Sequence, residues 1–215
     1  MTEVASIPGM YCLGVNYHTS TVAVRERFAV TKARVPEAVK KLRQLPGVDE
    51  CVLLSTCNRT EIYYWSTCPE VARASILSSF LGDAYDSRAE SCFCFYEGEE
   101  ALAHLACVAG GLDSMVVGET EIFGQLKDAY QVALQAGTTA ACSNRVFQQV
   151  FTIGKKIRST SRITSGPTSV GAAAVQLAQN CFGELSGVSV LVVGAGEVAR
   201  TTAQSLKSRG AESIF

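Results

Sequence analysis

Short apolar runs and helical stripes take turns along the first part of the chain. Met10 to Asn16 reads as a strand, and a polar stretch follows from Tyr17 to Arg27, where Val22 and Val24 alternate with Thr21, Ala23 and Arg25. Val35, Ala38, Val39, Leu42 and Leu45 recur at helical spacing, with Pro36 suited to a first turn and Pro46-Gly47 as a stop. Two strands come next, Glu50 to Ser55 and Glu61 to Ser66, separated only by Thr56-Cys57-Asn58-Arg59-Thr60. A helix opened by Pro69, with Val71, Ala74, Ile76, Leu77 and Leu81 inside and Gly82 at its end, leads to a last strand from Cys92 to Tyr96. The order β-α-β-β-α-β predicts the ferredoxin-like split βαβ arrangement, with its central hairpin carrying Cys57. RNA-binding domains share this topology, but no RNP-type aromatic signature is present, so base stacking on the sheet is not supported.

From Gly98 the pattern turns helical. Ala101, Leu102, Leu105, Ala106 and Ala109 form one side of a helix stopped at Gly110-Gly111, and His104 lies within it. A glycine-punctuated connection to Glu121 opens a helix from about Thr120 to Ala136, ended by Gly137. Another helix runs from Ser143 to about Ser159 and ends in Lys155, Lys156, Arg158 and Arg162. Those cations suit either the helix dipole or a phosphate. Thr164 to Thr168 reads as an inter-domain linker, Ser169 as the cap of a helix from Val170 to Phe182, and Val188 to Val193 as a buried strand. The predicted class is α/β: a ferredoxin-like βαββαβ catalytic domain with appended helices over residues 1–161, then the start of a Rossmann NADP-binding domain over residues 162–215.

Composition narrows the possibilities without choosing among them. Of 215 residues 47% are hydrophobic and 18% charged, and the net charge of -1 argues against a broad basic surface for non-specific nucleic-acid binding. No apolar run is long enough to span a bilayer, and the N-terminus lacks the marks of a secretory signal or a transit peptide, so a membrane partner is not expected. The nine cysteines include no CxxC pair, which suits a reducing compartment and gives no metal site.

Candidate chemistry centres on Cys57. A thiol at the tip of a hairpin, two residues from a guanidinium, can be held partly as thiolate, the nucleophilic form; a cysteine can equally be a small buried apolar residue. His104 by itself reads as a polar-face or satisfied core histidine. Asp113, Glu119 and Glu121 could bind a cation or a substrate amino group, or simply stabilise a helix N-terminus. Near the end, strand, Gly194-Ala195-Gly196-Glu197-Val198-Ala199 and helix follow in the order of a dinucleotide fingerprint, with Ala199 at the third glycine position. The acidic or basic residue that would choose NAD or NADP would lie beyond Phe215.

Five blocks in this order resemble one family, glutamyl-tRNA reductase: GVNYHTSTVAVRERFAV, STCNRTEIY around Cys57, HLACVAGGLDSMVVGETEIFGQLKDAY, GKKIRSTSRI with SVGAAAV, and VLVVGAGEVA. Departures from the family pattern are local: Tyr17 replaces a usual His, Ser20-Thr21 a common Ala-Pro, Thr120-Glu121 a Pro-Gln, and Phe123 a Leu. The resemblance implies NADPH-dependent reduction of glutamyl-tRNA(Glu) to glutamate-1-semialdehyde through a cysteine thioester, the first step of tetrapyrrole synthesis, with NADPH as cofactor. It implies Cys57 as nucleophile and His104 as an activity-critical residue. Thr56, Asn58, Arg59, Ser114, Glu119, Thr120, Glu121 and Gln125 fall at substrate-contact positions, with Arg59 suited to a bidentate grip on the γ-carboxylate, and Gly194 to Ala199 at the cofactor loop. It further implies a homodimer, channelling to glutamate-1-semialdehyde aminotransferase, and a cytoplasmic or plastid-stromal location. A continuation beyond Phe215 is also expected, completing the NADPH domain and adding a helical dimerisation domain. A non-enzymatic tRNA-binding homologue would have little reason to keep Cys57, Arg59, His104 and the dinucleotide loop together, and an ordinary dehydrogenase would leave the STCNR hairpin unexplained.

Overall fold

A computed structural model describes residues 9–82, 90–161, 163 and 169–215. Its main sheet contains β1 (Gly9–Asn16), β2 (Glu50–Ser55), β3 (Arg59–Ser66) and β4 (Cys94–Glu97), in the order β2-β3-β1-β4 with every neighbour antiparallel. β3 therefore lies between β1 and β2, and β1 between β3 and β4, as the split βαβ reading requires. The last strand begins at Cys94, two residues later than predicted.

Helices α1 (Val22–Phe28), α2 (Val35–Arg43) and α3 (Pro69–Leu81) connect the strands, and α4 (Gly98–Gly110), α5 (Glu121–Ala136) and α6 (Ala141–Thr160) follow the sheet. All of β3 and nearly all of β2 are buried. Tyr63 and Trp65 meet Phe147 of α6 across one face, and Tyr64 stacks on Tyr11 across the other. A sheet covered on both faces loses its polar alternation, which is why β2 reads as an unbroken apolar run.

Three sequence expectations change. Val22 to Phe28 is a helix, because Phe28 one turn beyond Val24 packs against Phe80 and Phe93, a tertiary contact that outweighs the alternation of two valines. In α3 the buried stripe runs through Ala72, Ile76, Leu77 and Leu81, leaving Val71 and Ala74 exposed. Leu102 likewise faces outward on α4. Helix ends follow the punctuation: Gly137 closes α5 in the left-handed region, and Glu50 of β2 caps α6 by accepting from the Ala140, Cys142 and Ser143 amides at 2.9, 3.2 and 2.8 Å.

Beyond α6, the linker expected over Thr164 to Thr168 and the cation Arg162 lie outside the described residues. Ser169 caps α7 (Val170–Phe182) by accepting from the Ala172 amide at 3.1 Å. β5 (Ser189–Val190) and β6 (Ser213–Ile214) pair in parallel across α8 (Glu197–Ser208). β5 is shorter than the predicted Val188 to Val193, and Leu191 and Val193 are exposed. Val175, Leu185, Leu206 and Ala211 form a small second core. No helix among the described residues is long and apolar enough to cross a membrane.

Candidate active site

The period of two along β3 puts Arg59, Glu61 and Tyr63 on one face, and the chemistry grows from that row. Gly14 on β1 stands opposite Glu61, where a Cβ would lie 2.2 Å from the Thr60 carbonyl oxygen, so only glycine allows the strands to approach this closely. Glu61 is fully buried. Its Oε1 accepts from Arg59 Nη1 at 3.0 Å and Asn16 Nδ2 at 3.3 Å and lies 3.1 Å from His104 Nε2; its Oε2 accepts from the Tyr63 hydroxyl at 2.6 Å. Burial alone would push this carboxyl up. The His104 hydrogen bond, the Arg59 guanidinium and the Tyr63 hydroxyl outweigh that and hold it down at about 2.

Asp113, from the glycine-punctuated connection after α4, closes the network. Its Oδ1 accepts from the Tyr17 hydroxyl at 3.1 Å and lies 2.8 Å from His18 Nε2, and its Oδ2 accepts from Arg59 Nη1 at 3.1 Å. Its backbone carbonyl accepts from Arg59 Nη2, and His104 Nδ1 stands 3.5 Å from Oδ2. Asp113 is thus committed inside the protein and is not the free cation or amine ligand that the sequence allowed. His104, stacked on Tyr96 with ring centroids 4.5 Å apart, sits between the two carboxylates, close to the satisfied-core reading.

Cys57 lies on the other side of Arg59. Thr56, Cys57, Asn58, Arg59, Ser114 and Gln125 line one narrow cleft together with Glu119, Glu121 and Ile122. The Thr56 hydroxyl accepts from the Asn58 and Arg59 amides, both at 3.2 Å, which fixes the loop carrying the thiol. Ser114 is buried and lines the cleft, and its Oγ has no hydrogen-bond partner among the described residues. Thr120 is exposed at the start of α5 and does not line the cleft; neither does His104. Arg158 at the end of α6 donates to the Glu119 carbonyl at 2.7 Å and to the Ala109 carbonyl at 3.4 Å, so this member of the basic cluster tethers the connection, while Lys155 and Lys156 are exposed.

Electrostatics correct one expectation. Cys57 is exposed as a residue, yet its thiol is pushed up, first by the protein packed around it and then by Glu119 and Glu121, with a backbone hydrogen bond and Arg25 opposing. Arg59 does not hold a thiolate, because its guanidinium is turned inward to Glu61 and Asp113. The cation that acts on Cys57 is Arg25 of α1, the helix the sequence pattern missed; Arg25 is buried and its Nε has no partner among the described residues. Glu61 also went unread, although Arg-x-Glu on a strand places both side chains on one face. Cys12 Sγ, Glu61 and His104 offer ligand atoms within 4.8 Å of one another, but Arg59 already occupies the Glu61 oxygen and would repel a cation there.

Gly194 to Ala199 lie far along the chain from these residues, at the turn from β5 into α8. Gly194 has φ +131°, which favours glycine, and a Cβ on Gly196 would meet no atom within 4 Å. Gly196 is the N-cap of α8, so an open, side-chain-free turn meets a helix N-terminus.

Residues 13–161 match the sequence profile described as "Glutamyl-tRNAGlu reductase, N-terminal domain". The glutamyl-tRNA reductase of Akkermansia muciniphila is 58% identical over 207 residues, covering 96% of this chain and 61% of that protein. The glutamyl-tRNA reductase of Shouchella clausii is 40% identical, over 94% of this chain and 45% of its own length. Among solved structures, glutamyl-tRNA reductase from Methanopyrus kandleri superposes with a TM-score of 0.64 at 34% identity, covering 95% of this chain and 48% of that one. The chain thus spans about half to three-fifths of the length of these relatives. Taken with the thiol cleft and the network behind it, these matches place the chain in the glutamyl-tRNA reductase family, whose N-terminal domain it contains.

Proposed function

We propose that this chain carries the acyl-transfer site of an NADPH-dependent reductase converting glutamyl-tRNA(Glu) to glutamate-1-semialdehyde, with Cys57 as the nucleophile. The observation that carries this reading is the cleft itself: an accessible thiol between an arginine face, two carboxylates and an unsatisfied buried hydroxyl. The Cys57 thiol gives its proton to water, the thiolate attacks the ester carbonyl of the glutamyl group, the C–S bond forms, and the C–O bond to the ribose breaks, the leaving ribose oxygen taking a proton from water.

Each charged group of a glutamyl ester has a counterpart. The α-ammonium fits Glu119 and Glu121, and its arrival offsets the negative field that pushes the thiol up, so substrate binding itself favours the thiolate. Glu121 in place of the family's usual glutamine strengthens that coupling. Arg59 spends three of its N–H bonds on Glu61 and Asp113. Of the five donors of a guanidinium, Nε–H and one Nη2–H remain for the γ-carboxylate. His104 acts as a positioning residue, holding Glu61 and Asp113 and through them the plane of Arg59.

The parallel β5–β6 pair with α8 between its strands is read as the first βαβ unit of a dinucleotide-binding domain following the ferredoxin-like one. The open turn from Gly194 through Ala195, Gly196, Glu197 and Val198 to Ala199 fits a pyrophosphate, and NADPH bound there supplies the hydride that reduces the thioester. A homodimer and delivery of the aldehyde to an aminotransferase belong to the same proposal for the whole protein. Incubation with glutamyl-tRNA and peptide mapping by mass spectrometry tests it: a glutamyl adduct on Cys57 is expected, and an adduct on another cysteine would remove Cys57 from this role.

A further inference from the structure

Resting on the acyl-transfer reading, we propose that the cavity between the free edge of β2 and α5 binds the terminal adenosine of the tRNA substrate. The cavity measures about 250 Å³, just under the usual range for drug-sized ligands and thus suited to a single heterocycle. Gln125 lines both this cavity and the Cys57 cleft, and Ser55 at its end precedes Thr56 of the cleft, so the two adjoin along β2 and α5. In an aminoacyl-tRNA the ester oxygen belongs to the terminal ribose. The base is therefore tethered a few bonds from the carbonyl that Cys57 attacks.

What the cavity offers matches a purine base. β2 is the edge strand of the sheet, so every second residue directs its amide and carbonyl away from β3. Cys51 belongs to that outward set: its amide donates to the Thr138 carbonyl at 2.8 Å, and its carbonyl accepts from the Thr138 hydroxyl at 2.9 Å. Leu53 and Ser55 follow at the same period, and among the described residues neither the Leu53 carbonyl nor the Ser55 amide has a recorded partner. A carbonyl and the amide two residues on, side by side, present an acceptor next to a donor. Adenine shows the complement, the N6 amino donor beside the N1 acceptor, whereas hypoxanthine of the same shape shows a carbonyl acceptor beside an N–H donor. Val35, Ala129 and Val132 give the cavity apolar walls against which a flat ring can lie, and the Lys32–Asp128 pair, 3.7 Å apart and exposed, stands at its rim.

The decisive comparison uses 3′-O-glutamyl esters of adenosine and inosine, with glutamate α-methyl ester as a donor lacking any base. Single-turnover acylation of Cys57 in the full chain is followed by intact-protein mass spectrometry. Adenosine ester should acylate at least about tenfold faster than inosine ester, the discrimination expected when buried polar groups lose their partners. In Val132→Phe, which fills the cavity, the ratio of the adenosine-ester rate to the inosine-ester rate should fall toward one; a ratio is insensitive to a general loss of active protein. Equal rates for adenosine and inosine esters, or an undiminished ratio in Val132→Phe, would overturn the base subsite while leaving acyl transfer to Cys57 standing. No acylation from any ester would overturn the acyl-transfer reading and this inference with it.

Discussion

The thiol cleft and the βαβ unit after α7 present their polar groups in opposite ways. Around Cys57 the sheet is covered on both faces, and three titratable side chains behind the cleft, Arg59, Glu61 and Asp113, are each bonded to at least two partners. The βαβ unit packs on α7 through a second core of four buried side chains, Val175, Leu185, Leu206 and Ala211, while Val193 is 90% and Leu191 74% exposed on the chain leaving β5. One region fixes its side chains against one another; the other presents a backbone turn. In the proposed function, acyl transfer calls for a nucleophile and charge partners held in register, and a pyrophosphate would be met largely by backbone amides, which an open turn leaves free.

The largest effect that would sharpen this contrast is Cys57→Ser. It should abolish glutamyl transfer, read as loss of the mass adduct, while leaving the urea midpoint nearly unchanged, because the residue is exposed. Next come packing substitutions. Phe147→Ala, which removes a ring touching Tyr63, Trp65 and Tyr130, should cost about 3–5 kcal/mol in urea denaturation. By contrast Val193→Ser should stay within about 0.5 kcal/mol and reduce self-association in sedimentation. Equal losses at both positions would erase the distinction between the regions.

Glu61→Gln should cost about 3 kcal/mol at neutral pH by leaving Arg59 short of a buried partner. The carboxyl is held at about 2, below its unfolded value near 4.3. Its contribution is therefore complete above that unfolded value and is lost as pH falls through about 2, so wild type and variant should converge in acid. A difference that stays constant with pH would show that the loss is one of packing alone. The smallest expected effect is at the cleft mouth. Removing one carboxylate beside the thiol in Glu121→Gln lowers the Cys57 pKa, so alkylation by iodoacetamide at pH 8 should be a few-fold faster.

Much of the scaffold is legible in the chain because local signals and tertiary contacts agree there. Gly137 and Ser169 mark helix ends with or without neighbours, and the hairpin around Cys57 needs only two apolar runs and a short polar break. The seven-residue α1 fails that test: it is too short for its own propensity to decide, and Phe28 makes it a helix by reaching Phe80 and Phe93. The residues assembled at the cleft were legible as motif members. Their division of labour was not, since Arg59 faces inward only because Glu61 and Asp113, 52 positions apart in sequence, meet beside it. Sequence by itself determined which groups are available and where the punctuated ends fall, such as the stop at Gly137 and the cap at Ser169. The tertiary structure alone decided which cation acts on the thiol and which serves the network, because charges interact through distance and burial, and neither is a property of position along a chain.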